Sequence, residues 1–190
     1  MLIGIKQPTS LNMVNYIFGY GSLINLHSLE KSIGRLLDIS EVIPADLKNY
    51  RRVWNLKEQL YSAALDRDVC GIFLNIEQDI SHVINGIIFK VTDSEFEQLK
   101  RRERNYDVVE VSNSIVSEDL ELTKKTISTF VASNPDVLQN NGKTNCYVMR
   151  NYVYLLESGC KTINDQFWEN FKASTAAHEF DELDGAYSFL

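Results

Sequence analysis

Gly19-Tyr20-Gly21-Ser22, directly after the apolar stretch Tyr16-Ile17-Phe18, is the first place where this sequence has the means to do chemistry. Two glycines let a backbone turn sharply and come close to a ligand. Successive amides in such a turn can point one way and form an anion-binding nest. A helix starting just beyond adds its own amino-terminal amides. That environment suits a carboxylate or a developing oxyanion; the other reading is an ordinary strand-to-helix turn. Glu103 is the second place. In a helix running from Asp93, positions 92, 96, 99 and 103 share one stripe, and Phe96 and Leu99 turn that stripe toward a core. A carboxylate there is costly unless it is paired or has a raised pKa, and a raised pKa is what a general base needs near neutral pH. Glu95 and Glu97 fall off the stripe. The alternatives for Glu103 are an ion pair with a neighbouring arginine or a place on a frayed helix end.

Other chemistries lack their parts. Gly19-x-Gly21 begins like a dinucleotide fingerprint, but isoleucine stands at position 24 where the third glycine belongs, and no phosphate-binding GK[ST] occurs. Ser22 has no nucleophile-elbow context, because Gly-x-Ser-x-Gly is not completed. His27, His82 and His178 are isolated, and no HExxH or other metal spacing appears. Cys70, Cys146 and Cys160 are odd in number and widely spaced, which suggests neither a zinc site nor a disulfide framework. Each reads as a small buried apolar residue in a reducing cytosol. No metal and no cofactor are expected.

The elements that must hold the two places can be read in outline. Residues 1–13 form a leader, and Asn15–Phe18 a short strand. A helix from about Asn25 to Ile33 closes at Gly34. Ile39–Ile43 reads as a strand ending at Pro44, and Leu47–Trp54 and Val69–Ile76 as two more. Val83–Val91, continuously apolar at its centre, reads as a strand buried on both faces. Thr92 and Glu95 have capping-box spacing, so a helix begins there and runs to about Arg104. Tyr106–Val111 and Thr126–Ala132 return to strand character. The last third reads as helical: Asn145–Glu157 with Gly159 as its C-cap, then a helix capped by Asp165, then an acidic tail from His178. Strands cluster rather than alternate with helices. That favours an α+β fold, a small mixed β-barrel with helices outside it, over a doubly wound sheet.

At 190 residues, with no repeat, low-complexity run or Gly/Ser/Pro linker, one domain over 1–190 is the simplest organisation. Nineteen basic against twenty-six acidic residues leave a net charge of −7, which repels phosphate backbones, so nucleic acid is not an expected partner. The run Lys100-Arg101-Arg102-Glu103-Arg104 reads as a solvated helix face. No apolar run approaches the ~20 residues needed to cross a bilayer. Without a signal-peptide pattern either, a cytoplasmic protein with no membrane partner is expected.

Taken together, the two places resemble the γ-glutamylcyclotransferase-like family, which includes the ChaC-type enzymes. Phe18-Gly19-Tyr20-Gly21-Ser22-Leu23-Ile24 resembles the family's F-x-Y-G-S-L loop. Ala45-Asp46-Leu47-Lys48-Asn49-Tyr50-Arg51-Arg52 resembles A-x-L-x-G-Y-x-R, with Asn49 where glycine is common. Asn85-Gly86-Ile87-Ile88-Phe89 resembles the family's N/x-G-x-L/I-F/Y strand, and Leu99–Tyr106 its L-x-x-x-E-x-x-Y element. Order and rough spacing agree over residues 16–111. The glycine- and proline-rich stretch usual in the ChaC type is replaced by Asn55–Ser62, which departs from the glutathione-specific pattern. The resemblance implies a γ-glutamylcyclotransferase-like fold and cyclisation of a small γ-glutamyl compound to 5-oxoproline. It implies Glu103 as catalytic acid/base, with Tyr20, Gly21, Ser22 and Leu23 holding the substrate. Tyr106 is assigned to orienting Glu103 or closing the pocket. Arg51 or Arg52 is assigned to a substrate carboxylate, or else to the surface. Two other readings stand beside it: a non-catalytic module that binds a γ-glutamyl compound or metabolite, and γ-glutamyl transfer to another acceptor. The leaving amine and the oligomeric state stay open.

Overall fold

The computed structural model describes residues 14–119, 121–139 and 145–190; the leader falls outside them. Strand β1 (Val14–Gly19) leads through a 3-10 turn at Ser22–Ile24 into helix α1 (Leu26–Ile33). Asn25 caps α1 by accepting from the Ser28 amide, and Gly34 ends it at φ 77, the left-handed position that glycine fills at helix ends. Two long strands follow, β2 (Val42–Ser62) and β3 (Arg67–Thr92), then helix α2 (Asp93–Arg102). Both halves of the Thr92/Glu95 capping box form at the start of α2. Next come β4 (Asp107–Glu110), β5 (Ile115–Val116), β6 (Ile127–Val131) and β7 (Cys146–Met149). Helices α3 (Arg150–Ile163) and α4 (Asp165–Ala173) precede β8 (Asp181–Leu183) and β9 (Tyr187–Phe189).

The nine strands form one mixed sheet in the order β4-β6-β1-β3-β2-β5, with β7 added to β3, β8 to β7, and β9 to β2. It is an α+β architecture built on the β2–β3 ribbon. Near one end of the ribbon, β3 pairs antiparallel with β1 and β2 pairs with β5; near the other, β3 pairs parallel with β7 and β2 pairs with β9. Register breaks at Lys48/Tyr50 and Trp54/Leu56 bend the ribbon. Asn49 sits at the first break with φ 67. Asparagine tolerates that left-handed backbone better than other non-glycine residues, which accounts for its standing where relatives of this motif carry glycine.

Several expected boundaries move. Ile39–Glu41 is a 3-10 turn capped by Asp38, and β2 runs through Pro44 instead of ending there. Pro44 is tolerated because β5 reaches β2 only at Asp46 and Leu47, so its missing N–H costs no ladder bond on that side. The separate strands expected within 47–54, 69–76 and 83–91 are parts of β2 and β3. In polar Gln78–His82 only Gln78 pairs with β2, opposite Tyr50; residues 79–82 fall within the register break between that pair and Lys48–Val83. Residues 146–149 form a strand rather than a helix turn. They pair with Cys70–Ile72, and Cys146-Tyr147-Val148 are good strand formers. Gly159 is not a C-cap but an interior residue of α3. A Cβ there would stand 2.7 Å from the Asn25 backbone, so α3 lies directly on the cap of α1. Asn164, not Asp165, caps α4. The acidic tail packs, as β8 and β9. Among the described residues no helix is long and apolar enough to cross a membrane.

Candidate active site

The loop after β1 is held from below. Tyr20 is buried; its hydroxyl donates to the Phe130 carbonyl at 2.7 Å, and its own carbonyl accepts from Arg52 Nε at 2.9 Å. Arg52 is fully buried. It donates to the carbonyls of Phe171 and Asn85 and to the hydroxyls of Ser174 and Thr175, and its guanidinium lies 3.8 Å from the centre of the Phe171 ring. Burial, with no carboxylate bonded to it among the described residues, pulls its pKa down to about 9, which still leaves it charged at neutral pH. Arg51, one residue away on the strand, points the other way and pairs with Glu77 at 2.7 Å near the surface. The expected substrate contact by Arg51 therefore has no place in the cleft: its charge is spent on Glu77, and Arg52 braces the loop.

Glu103 is set by the end of α2. Its amide donates to Leu99 O at 2.8 Å, Leu99 is fully buried, and Tyr106 N returns a bond to Glu103 O at 2.9 Å. The helix stops at Arg102, two residues short of the expected end, so Glu103 is its C-cap. Its side chain is 14% exposed and lines a cleft of about 690 Å³. It also lines a recess of about 30 Å³ walled by Gly19, Tyr20, Gly21, Ser22 and Leu23. Ser22, Glu103, Tyr106 and Tyr152 belong to both, so the carboxylate stands where the cleft meets the loop. The recess has room for one water or one substrate oxygen. Gly21 keeps it open, since a Cβ there would meet the Tyr152 hydroxyl at 3.3 Å. The amides of Gly21 and Ser22 have no acceptor among the described residues, whereas Ile24 and Asn25 close the 3-10 turn.

Burial pushes the Glu103 carboxyl above its ordinary pKa. The Arg102 guanidinium, in a short ion pair with it, pulls the other way, and the charge of Glu58 adds to the rise. Arg102 also donates to Ser22 Oγ at 2.9 Å and Ser28 Oγ at 3.3 Å, tying the carboxylate to the loop. Glu58, itself nearly buried, accepts from Asn105 at 2.6 Å. Tyr106 donates to the Leu74 carbonyl at 2.7 Å. Burial, then the neighbouring tyrosine and Glu103, raises the Tyr106 phenol; burial and Glu103 raise Tyr20. Both therefore stay neutral.

Glu103, Tyr20, Gly21, Ser22, Leu23 and Tyr106 are thus brought together, and Arg51 is not. Arg102, Glu58 and Tyr152 were not expected at the site. Arg102 lay hidden in a basic run, and Tyr152 in a segment with no motif. Glu95, off the stripe of Glu103, is nearly buried and takes Arg35 Nε at 2.7 Å while completing its expected capping box. Among the described residues no group of three metal-binding side chains forms.

No family model matches the chain, and no curated protein matches its sequence. Solved structures do. A γ-glutamyl cyclotransferase superposes with a TM-score of 0.59 at 15% identity, over 88% of this chain and 91% of its own. The chain has the γ-glutamyl cyclotransferase fold. An uncharacterized protein from Homo sapiens gives the same score and identity over 87% and 90%. A yeast γ-glutamyl cyclotransferase described as specific to glutathione gives 0.50 at 13% identity over 88% and 90%. At such identities the likeness is one of fold. In this chain two nearly buried carboxylates, Glu103 and Glu58, line the cleft, and Glu103 also lines the recess of the β1 loop.

Proposed function

We propose that this chain is a γ-glutamyl cyclotransferase, converting a γ-glutamyl amine or peptide to 5-oxoproline with release of the amine. The observation that carries the reading is Glu103, a nearly buried carboxylate of raised pKa at the joint between the cleft and the oxygen-sized recess of the Gly19–Leu23 loop. Its ion pair with Arg102 works against that rise and favours the ionised form from which a base must start.

The chemistry follows from that placement. Glu103 takes a proton from the substrate α-ammonium. The freed amine attacks the γ-carbonyl carbon of the same molecule, a step favoured because both reacting groups are already joined. The carbon–nitrogen bond of the ring forms as the carbonyl electron pair moves onto oxygen. The Gly21 and Ser22 amides are the donors for that oxyanion. When the tetrahedral centre collapses, the bond to the leaving nitrogen breaks and Glu103 returns its proton to that nitrogen. The second proton lost by the attacking nitrogen is matched by protonation of the released amine. Tyr106, locked on Leu74 O, and Tyr20 wall the carboxylate.

The test is direct. The protein is incubated with γ-glutamyl amines, γ-glutamyl amino acids and glutathione, and 5-oxoproline is followed by mass spectrometry. Catalytic formation from at least one of them is expected. Binding without 5-oxoproline would instead support the module that only holds such compounds, and a γ-glutamyl product on an added acceptor would indicate transfer.

A further inference from the structure

The cleft is far larger than a glutamyl unit needs. Its volume of about 690 Å³ lies within the range of about 300–1,000 Å³ that accommodates ligands of drug size. Its lining combines two chemistries. Phe73, Tyr152, Tyr187 and Phe189 form an aromatic wall, with ring centres 4.9 Å apart for Phe73 and Tyr152 and 5.5 Å for Phe73 and Phe189. Phe189 remains 56% exposed, an open apolar face that a ligand would cover. The lining also includes two exposed cations, Lys31 of α1 and Arg101 of α2. Neither has a bonded or paired partner among the described residues. The remaining described arginines, 35, 51, 52, 67, 102, 104 and 150, each bond a carboxylate, a carbonyl or a side-chain oxygen. In a chain of net charge −7, two unpaired cations in the lining of one cleft leave an anion site open.

We infer, resting on the cyclotransferase reading of this cleft, that the leaving amine is an amino acid with a large aromatic or apolar side chain. The side chain lies on Phe73, Tyr187 and Phe189, and the free carboxylate is held by Lys31 and Arg101. An uncharged amine would leave those exposed cations to water. A leaving glycine would leave the aromatic wall wet.

Three compounds with the same γ-glutamyl head separate these contributions: γ-glutamyl-phenylalanine, γ-glutamyl-phenethylamine, which lacks the carboxylate, and γ-glutamyl-glycine, which lacks the ring. The kcat/KM for γ-glutamyl-phenylalanine should exceed each of the others by about tenfold or more, the scale of one charged hydrogen bond or one apolar group in a pocket. In a Lys31→Met/Arg101→Met variant the ratio of phenylalanine to phenethylamine compound should fall to about one. Equal kcat/KM for all three, or an unchanged ratio in the variant, overturns the inference and leaves cyclisation standing. If none of the three yields 5-oxoproline while glutathione or another compound of the wider panel does, the inference is overturned and cyclisation stands; if the whole panel yields none, the cyclotransferase reading fails by itself. Titration calorimetry on the same compounds then decides. Tightest binding of γ-glutamyl-phenylalanine, lost in the double variant, sustains the anion-plus-aromatic site; equal or absent binding overturns it.

Discussion

Replacing Arg52 by methionine keeps most of the side chain's length and apolar bulk and removes its five donated hydrogen bonds. Two of their acceptors matter most. The Tyr20 and Asn85 carbonyls lose a charged donor, whereas Phe171 O keeps the Thr175 hydroxyl at 2.6 Å. A hydrogen bond from a charged group contributes about 1.5–3 kcal/mol, so two amount to about 3–6 kcal/mol. Part is recovered because a charge no longer has to be buried, leaving an expected loss of about 3 kcal/mol. Small domains hold only about 5–15 kcal/mol in total, so the shift is easily measured by urea unfolding. Arg51→Met is the control. It removes a surface pair with Glu77, and such pairs contribute about 0–1 kcal/mol. The reasoning is refuted if Arg52→Met unfolds within about 1 kcal/mol of the parent, or if the two variants are destabilised alike.

Three shorter predictions follow from other contacts. Gly159→Ala gains about 1 kcal/mol in helix propensity, yet its Cβ meets the Asn25 backbone at 2.7 Å; overpacking should win by about 1–2 kcal/mol, seen as a lower Tm. Glu95→Gln should cost about 1–3 kcal/mol at neutral pH. Burial works to raise the Glu95 pKa, but the Thr92 amide and Arg35 prevail and lower it. Its stabilisation is therefore present above the ordinary value of 4.5 and lost as pH falls through the depressed one, so parent and variant should converge on acidification in urea melts. Arg102→Met removes the cation that restrains the rise of Glu103; the acid limb of the kcat/KM profile, where activity falls as Glu103 is protonated, should move to higher pH, and a limb that stays or moves down would contradict the assignment.

The parts of the fold legible in the sequence are those with local causes. The capping box at Thr92 and Glu95, the close of the first helix at Gly34, and the placement of Glu103 on the stripe of Leu99 are all set within a few residues, and all appear. What stayed hidden depends on partners distant in the chain. Cys146–Met149 is a strand because β3 offers it an edge. Val83–Phe89 and Arg67–Gln78 join one continuous strand because β2 pairs with both stretches, on either side of the break at Asn49. Adjacent residues on a strand face opposite ways, so one of Arg51 and Arg52 had to turn inward. The break between Lys48 and Tyr50 resets the alternation, and the motif alone did not say which. Glu95 lies off the helical stripe and still becomes buried, because Arg35 arrives from the end of α1 to cover it.

The central claim is that Glu103 moves the protons. Glutamine at 103 preserves shape and hydrogen-bonding capacity but cannot accept the α-ammonium proton. The decisive measurement is single-turnover release of 5-oxoproline from a γ-glutamyl substrate that the parent cyclises, with substrate affinity measured alongside. Glu103→Gln should bind within a few-fold of the parent and release 5-oxoproline about 10²–10⁴-fold more slowly. Release at the parent rate would contradict the account.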